Sequence, residues 1–424
     1  MKIVIVGAGI GGLTMALALH RHGFENVQLL EQASEFVEIG AGVQISSNGS
    51  RVLLHYGLEH GLEADACRSE GTWYRDLASD EELYKCNAGK WGEEFYGTPF
   101  YHIHRAELHR LLRESFPSSW IRRSSRVARV DADSYRPIVY LADGTSVEAD
   151  VVIGADGLRS VVREAVVEPT PPHYTGFISW RTLIPAERVA HLGLKRACYD
   201  WLGPDKVVAV YWCSAGKKLN FLANVPAEDP RPESWDAIEG AQEVRRAFAG
   251  ANSTVQQILT AVENPFVTGI FDRPTPKTFV RNSVVLIGDA AHPVVPYLAS
   301  GATQAMEDAH VLARMLFRPL SGQQTLDSAL AEYITRRRQR VDNIQRISAQ
   351  IQKLQHLRDE SEVQRRNLRM KQSQVSDPNG VEMRGWLWGY DVIADTERGI
   401  DAALSTEHLE NSVWTDAKTG TRRT

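Results

Sequence analysis

Cysteine is scarce in this 424-residue sequence, and Cys67, Cys86, Cys198 and Cys213 are scattered without a CxxC pair. That spacing excludes a disulfide scaffold and a zinc module. It suits a reducing compartment, so the chain is expected to be cytoplasmic. No apolar run is long enough to span a bilayer, and no basic leader, apolar segment and cleavage site stand in order at the N-terminus. An excess of one charge is missing too. The 48 Lys and Arg against 53 Asp and Glu leave a net charge of −5, which argues against a dedicated nucleic-acid binder. There are no internal repeats and no long low-complexity segment. What remains is ordinary globular composition, 43% hydrophobic and 24% charged, with a length that predicts roughly two to three domains.

The informative residues begin at once. Ile3-Val4-Ile5-Val6 is a β-branched run bounded by Gly7, the signature of a buried parallel strand. Gly7-Ala8-Gly9-Ile10-Gly11-Gly12 fits GxGxxG, Leu13 to Arg21 reads as a helix with Gly23 as its C-cap, and a second strand, Val27 to Leu30, ends at Glu31. This order predicts a dinucleotide site. Gly7 allows the tight turn, Gly9 lets a diphosphate approach the backbone, and Gly12 lets the helix pack on the strand. The helix N-terminus offers free N–H groups to the phosphates, and Glu31 can accept from ribose hydroxyls. The motif alone fits NAD as well as FAD.

Further along, a glycine-rich stretch (Glu38 to Gln44) precedes a predicted helix from Asn48 to Tyr56. A strand and then a helix are expected over 101–115. Antiparallel strands are expected over 126–155, running into Val151-Val152-Ile153, and short aromatic strands over 174–225. A buried strand, Val284 to Ile287, and a helix from about Gly301 return to the α/β pattern. A long helix is predicted from about Asp327 to Leu357, with Val341, Ile344, Ile347, Ile351, Leu354 and Leu357 as its buried stripe. Arg336-Arg337-Arg338 on that helix reads as a solvated face, residues 358–381 as a polar linker, and the last dozen residues as a frayed tail. Dinucleotide-type elements thus stand at both ends with β-rich material between them. That implies one discontinuous cofactor domain (1–72, 101–172 and 270–345), a substrate domain (73–100 and 173–269), and a C-terminal helical extension and tail (346–424).

Two more glycine–acid motifs follow buried strands. One is Asp150-Val151-Val152-Ile153-Gly154-Ala155-Asp156-Gly157. The other is Gly288-Asp289-Ala290-Ala291-His292-Pro293, continuing through Pro296 to Gly301-Ala302. With GxGxxG, this set resembles the class A FAD-dependent aromatic hydroxylases, the family of para-hydroxybenzoate, salicylate and 6-hydroxynicotinate hydroxylases. The resemblance covers residues 1 to about 345. It implies an α/β fold: a Rossmann-type FAD domain with a parallel sheet, an inserted β-rich substrate domain, and C-terminal helices. The residues agree with it. Asp289 at a strand end can accept from ribityl hydroxyls, and a helix starting near Gly301-Ala302 can point its positive end at the flavin ring. The resemblance further implies that Arg105 reaches the FAD pyrophosphate, that the main chain at Val127 holds the adenine, that Asp156 serves FAD and the passing nicotinamide, and that Gln44 and Pro296 lie near the flavin. No Cys or His is placed for a tether, so the FAD is expected to be non-covalent.

On the substrate side, Arg181 and Tyr211 resemble pocket-lining positions, Arg181 for a carboxylate or phenolate and Tyr211 for a phenol. His292 is read as structural, and a His102/His104 metal pair is set aside because no carboxylate or thiolate cluster accompanies it. The implied chemistry is reduction of FAD by NADH or NADPH, then reaction with O2 to a C4a-hydroperoxide that hydroxylates a small phenolic or carboxylated aromatic. The alternative is a flavin monooxygenase or epoxidase acting on a larger or non-aromatic substrate.

Overall fold

Buried strands from distant parts of the chain meet in one sheet. The computed structural model describes residues 1–36, 41–230, 240–377 and 381–398. Ile3–Val6, buried at all four positions, pairs in parallel with Val27–Leu30 on one side and Val151–Gly154 on the other. Val284–Leu286 extends the sheet in parallel beyond Val151–Gly154, and Ile121–Arg122 extends it beyond Val27–Leu30. A short antiparallel strand, Val280–Arg281, makes the sixth. A parallel strand covered on both faces must be apolar on both, which is why the central segments Ile3–Val6, Val151–Ile153 and Val284–Leu286 read as unbroken Val/Ile/Leu runs. The helices Ile10–Arg21 and Gly301–Leu320 pack on each other beside this sheet.

Residues 126–155 differ from the expected antiparallel series. Val127–Asp131, Ile138–Leu141 and Ser146–Glu148 form a separate antiparallel sheet, and the chain breaks at Ala149-Asp150 before Val151–Gly154 enters the parallel one. Asp150 marks the change by accepting a hydrogen bond from the Lys2 N–H at 2.6 Å.

A seven-stranded sheet lies over the other side of the site. Its order is Phe266–Asp272, His173–Pro185, Lys218–Pro226, Lys206–Cys213, Cys198–Gly203, Thr72–Asp76 and Glu82–Cys86. All neighbours are antiparallel except Cys198–Gly203 with Thr72–Asp76. Side chains alternate between its two faces. One face is a core of Trp73, Trp180, Trp201, Val208, Val210, Phe221 and Ala223 that packs with Ile258 and Leu259 of the Ser253–Ala261 helix.

At the C-terminus, Leu326–Gln355 is one unbroken helix that runs through 345/346. Val341, Ile344, Ile347 and Ile351 are buried as the periodicity predicts, whereas Leu354 and Leu357 are only half-buried. The arginine run is not a solvated face: Arg337 is buried against Glu307 and Asp308 of the Gly301–Leu320 helix, and Arg336 against Glu332 one turn earlier on its own helix and Asp395 from the chain beyond it. Nor is 358–381 a linker. Glu360–Ser376 is a helix capped by Asp359, whose carboxylate accepts from the Glu362 N–H at 3.0 Å, and it buries Val363, Arg366 and Met370. Only two of these, Val363 and Met370, are apolar, and so sparse a stripe hid the helix. The helices Val381–Trp388 and Val392–Glu397 follow. The expected frayed tail, and Glu38 to Gly40 of the glycine-rich stretch, lie outside the described residues.

Candidate active site

The glycine loop after Ile3–Val6 is shaped by what a side chain would strike. Gly7 has φ +98°, and a Cβ there would lie 2.6 Å from the Ala155 carbonyl oxygen. A Cβ on Gly12 would lie 1.9 Å from the Gly7 carbonyl oxygen, so the helix can sit this close only with glycine. A Cβ on Gly9 would meet no protein atom within 4 Å, and Gly9 lines a cavity of about 370 Å³. The loop therefore leaves an open cradle at Gly9, beside the uncapped N-terminus of Ile10–Arg21. Glu31 braces it: Oε2 accepts from the Ala8 N–H at 2.9 Å and Oε1 from the Ala33 N–H at 2.8 Å.

The same cavity collects Gln44, Arg105, Asp289, Pro296, Gly301 and Ala302, together with Arg181 and Tyr211. Asp289 faces the cavity yet lies deep in the molecule. Burial raises its carboxyl pKa, while His292 and the Arg105 guanidinium oppose the rise. Burial in turn lowers the Arg105 pKa, and Asp289 opposes that. Ser300 and Gly301 begin the Gly301–Leu320 helix at the cavity wall. Val127 and Asp156 do not line it. Val127 starts a strand of the separate three-stranded sheet. The Asp156 carboxylate accepts from the Ser160 hydroxyl and from the N–H groups of Val161 and Val162, so it orders the turn that follows its strand.

Behind Gly288-Asp289 lies an ion network. Asp308 Oδ2 accepts from the Gly288 N–H at 2.8 Å and lies 2.6 Å from His292 Nε2, and Oδ1 accepts from Arg337 Nε at 2.7 Å. Burial opposes ionisation of Asp308, but His292 and Arg337 outweigh it and hold the carboxyl down at about 2. Glu307 accepts from Arg337, from Arg340 and from the Asn48 side-chain amide. These contacts lock the Gly288 loop to the helix that begins at Gly301. His292, 1% exposed, belongs to this network and does not line the cavity.

A further wall of the cavity is the mixed polar and apolar face of the seven-stranded sheet. Cross-strand register places Arg181, Leu222, Ala209, Asp200 and Tyr74 in one row over five strands. Two residues further along their strands, on the same face, come Asn224 and Val207 on one side and Tyr211 on the other, and all eight line the cavity. Asp200 is pushed up to about 6 by burial. Tyr211 is 6% exposed, with its ring 4.6 Å from the buried ring of His102. Gln44 Nε2, on the Gly42–Ile45 strand of a separate three-stranded sheet, approaches Cys198 Sγ at 3.5 Å. Tyr74, Asp200, Asn224, Tyr297 and Arg384 were not singled out from sequence. Period-two alternation was the available signal for the first three, and Trp388 beside Arg384 the signal for the last.

Comparison with known proteins decides the family. A model of the FAD binding domain family matches residues 1–348. The 3-amino-4-hydroxybenzoate 2-monooxygenase of Streptomyces cremeus is 35% identical over 390 residues, covering 92% of this chain and 95% of that one. The chain belongs to the class A FAD-dependent hydroxylases.

The 6-hydroxynicotinate 3-monooxygenase of Bordetella bronchiseptica, 32% identical over 82% of this chain and 90% of its own, is a further relative of this hydroxylase. The Klebsiella pneumoniae protein HpxO, solved with FAD and uric acid, superposes with a TM-score of 0.79 at 26% identity, covering 89% of this chain and 95% of that one. The hydroxylase is thus a flavoprotein monooxygenase with FAD as its cofactor. Its own residues fit that group: a cradle at Gly9, a half-buried cation at Arg105, an acceptor at Asp289, and a helix N-terminus at Gly301. Asp289→Ala should weaken FAD retention by about 1.5–3 kcal/mol, the worth of charge-assisted hydrogen bonds. Flavin fluorescence during dilution of the purified protein reads this, and wild-type retention would move the contact elsewhere.

Proposed function

We propose that this hydroxylase uses NADH or NADPH and O2 to hydroxylate a small aromatic substrate bearing a phenol or a carboxylate. The observation that carries this is the row on the seven-stranded sheet that sets Arg181, Asp200 and Tyr74 around the apolar Leu222 and Ala209, facing the cavity that also holds Gly9, Arg105 and Asp289. The relatives named above act on an amino-hydroxybenzoate and a hydroxynicotinate, which are flat hydroxylated aromatic acids of the size such a slot accepts.

The glycine loop, Glu31, Asp289 and the helix at Gly301 are assigned from their chemistry, and Arg105, Val127, Asp156, Gln44 and Pro296 as the family resemblance implies. Gly9 and the N-terminus of Ile10–Arg21 take the diphosphate with Arg105, Glu31 takes the ribose, the main chain at Val127 the adenine, and Asp289 the ribityl chain. Gly7 and Gly12 shape the loop, Asp156 orders the turn beside it, and Pro296, Gly301, Ala302 and Gln44 border the ring. Bound FAD supplies, after reduction by the nicotinamide, the means of activating O2. The protein's part is to bind, orient and exclude water. Arg181 favours the ionised form of a nearby phenol, which enriches the ring in electrons. Tyr211 donates or accepts a hydrogen bond at the substrate hydroxyl. Phe100, Val207 and Trp388 supply apolar wall that keeps water out. The parallel-sheet segments then form the cofactor domain, and the seven-stranded sheet the substrate domain. The four buried cysteines, none of them in a disulfide, suit work in the cytoplasm.

The two polar residues should fail differently. Arg181→Ala should chiefly raise KM, because an ion contact helps the ground state and transition state alike. Tyr211→Phe should lower product formed per NAD(P)H consumed, because reduction continues while the ring is misaligned. Product, peroxide and nicotinamide oxidation measured together check both. Wild-type KM and coupling in both variants would remove these residues from the site.

A further inference from the structure

We propose that Arg384, delivered by the Val381–Trp388 helix, is the anchor for a carboxylate on the aromatic substrate, with Tyr74 as its positioning partner. This rests on the reading that the substrate is aromatic, and adds which end of the slot takes its charge.

Arg384 is 7% exposed and lines the cavity. Its Nη2 donates to the Tyr74 hydroxyl at 3.1 Å, and its Nε is buried with no hydrogen-bond partner. Among the described residues it forms no ion pair. The six other buried arginines are better supplied: Arg273 donates to the Leu158 carbonyl and the Thr170 hydroxyl, and Arg366 to the Asn367 side-chain oxygen and the Leu354 and Gln355 carbonyls. Arg337 and Arg340 hold Glu307 and Asp308, Arg336 holds Glu332 and two backbone carbonyls, and Arg163 holds three backbone carbonyls. Arg384 alone among these is left with one neutral hydroxyl and the Trp388 ring, 5.5 Å away. A guanidinium taken out of water without an anion is costly, and a ligand that brings the anion recovers that cost. Its planar fork matches a carboxylate with two parallel N–H···O bonds, which a lysine does not reproduce.

Position argues for substrate rather than cofactor. Tyr74 ends the cross-strand row that Arg181 begins, so the two arginines flank Leu222, Ala209 and Asp200. The charges and titratable groups facing Arg384 are Tyr74, Cys86 and Tyr84, with Asp200 across the cavity feeling its charge. None belongs to the Gly288-Asp289 loop. A flat acid lying along the row meets Arg384 with its carboxylate and leaves Arg181 and Tyr211 for its hydroxyl.

The test uses the full-length flavin-loaded protein and matched ligands: 3-amino-4-hydroxybenzoate and 4-hydroxybenzoate against their carboxamides. Binding is read from the perturbed absorbance of the bound flavin. The wild type should prefer acid over amide by roughly 10- to 100-fold. Arg384→Met should abolish that preference by weakening acid binding, with amide affinity and bound FAD per chain retained. Arg384→Lys should restore part of it. A merely structural arginine would weaken acid and amide together. An unchanged acid-to-amide ratio in Arg384→Met overturns the proposal, and so does a wild type that prefers the amides, a result that needs no variant. In both cases the aromatic reading survives. If neither acids nor amides perturb the flavin, that reading falls, and the anchor with it.

Discussion

Arg337→Ala should destabilise the protein by about 3–5 kcal/mol, the cost of removing one partner from a buried ion network. Arg337 is fully buried, and its guanidinium donates to Glu307, Asp308 and the Gln304 side chain at 2.7–2.8 Å. Without it, two carboxylates on the Gly301–Leu320 helix lose the cation they share in one low-dielectric space, Glu307 keeping Arg340 and Asp308 keeping His292. The pH dependence gives a sign. Asp308 is held at about 2, below its ordinary value of 3.8, so its contribution is present above about pH 4 and fades as pH falls towards 2. In the variant both acids are eased by protonation. The deficit should therefore be largest at pH 7 and shrink towards pH 4. Urea unfolding at the two pH values measures it. A deficit under about 1 kcal/mol at pH 7 would place the stabilisation elsewhere.

Gly9→Leu should yield a folded, colourless protein. No protein atom lies within 4 Å of a Cβ at Gly9, so the side chain enters the cavity and not the core, and the apo-protein should lose no more than about 0.5 kcal/mol. The space it takes is the cradle assigned to the diphosphate, and FAD affinity should fall by roughly two orders of magnitude or more. Gly12→Ala is the contrast. Its Cβ would lie 1.9 Å from the Gly7 carbonyl oxygen, so strand, loop and helix must move apart and fold and flavin fail together. Retention of full flavin by Gly9→Leu would falsify the assignment of the loop.

The parts of this architecture legible in sequence are those written in contiguous residues. Ile3–Val6, the glycine loop and Gly288-Asp289 announce themselves because a doubly covered strand must be apolar and the turns after it need glycine. Arg336-Arg337-Arg338 misled because a charge run is solvated unless acids come to it. The acids for Arg337 stand about 30 positions earlier, on a helix whose packing no local window reveals. Asp200 and Tyr74 went unseen for a related reason: each sits in an alternating strand, and only pairing between distant strands puts them in one row with Arg181. The Glu360–Ser376 helix was missed because a mostly polar helix with three buried residues differs little in composition from a linker.

The central claim is that the chain inserts oxygen from O2 into a hydroxylated aromatic acid at the expense of NAD(P)H. The direct measurement supplies the purified, flavin-loaded protein with 18O2, NADH or NADPH, and a set of hydroxylated and amino-hydroxylated aromatic acids. Product mass and nicotinamide oxidation are followed together. The account predicts at least one acid that stimulates oxidation and gains a single 18O atom, close to one per nicotinamide consumed. Oxygen drawn from water, or stimulated oxidation that across the whole set yields only hydrogen peroxide, would contradict it.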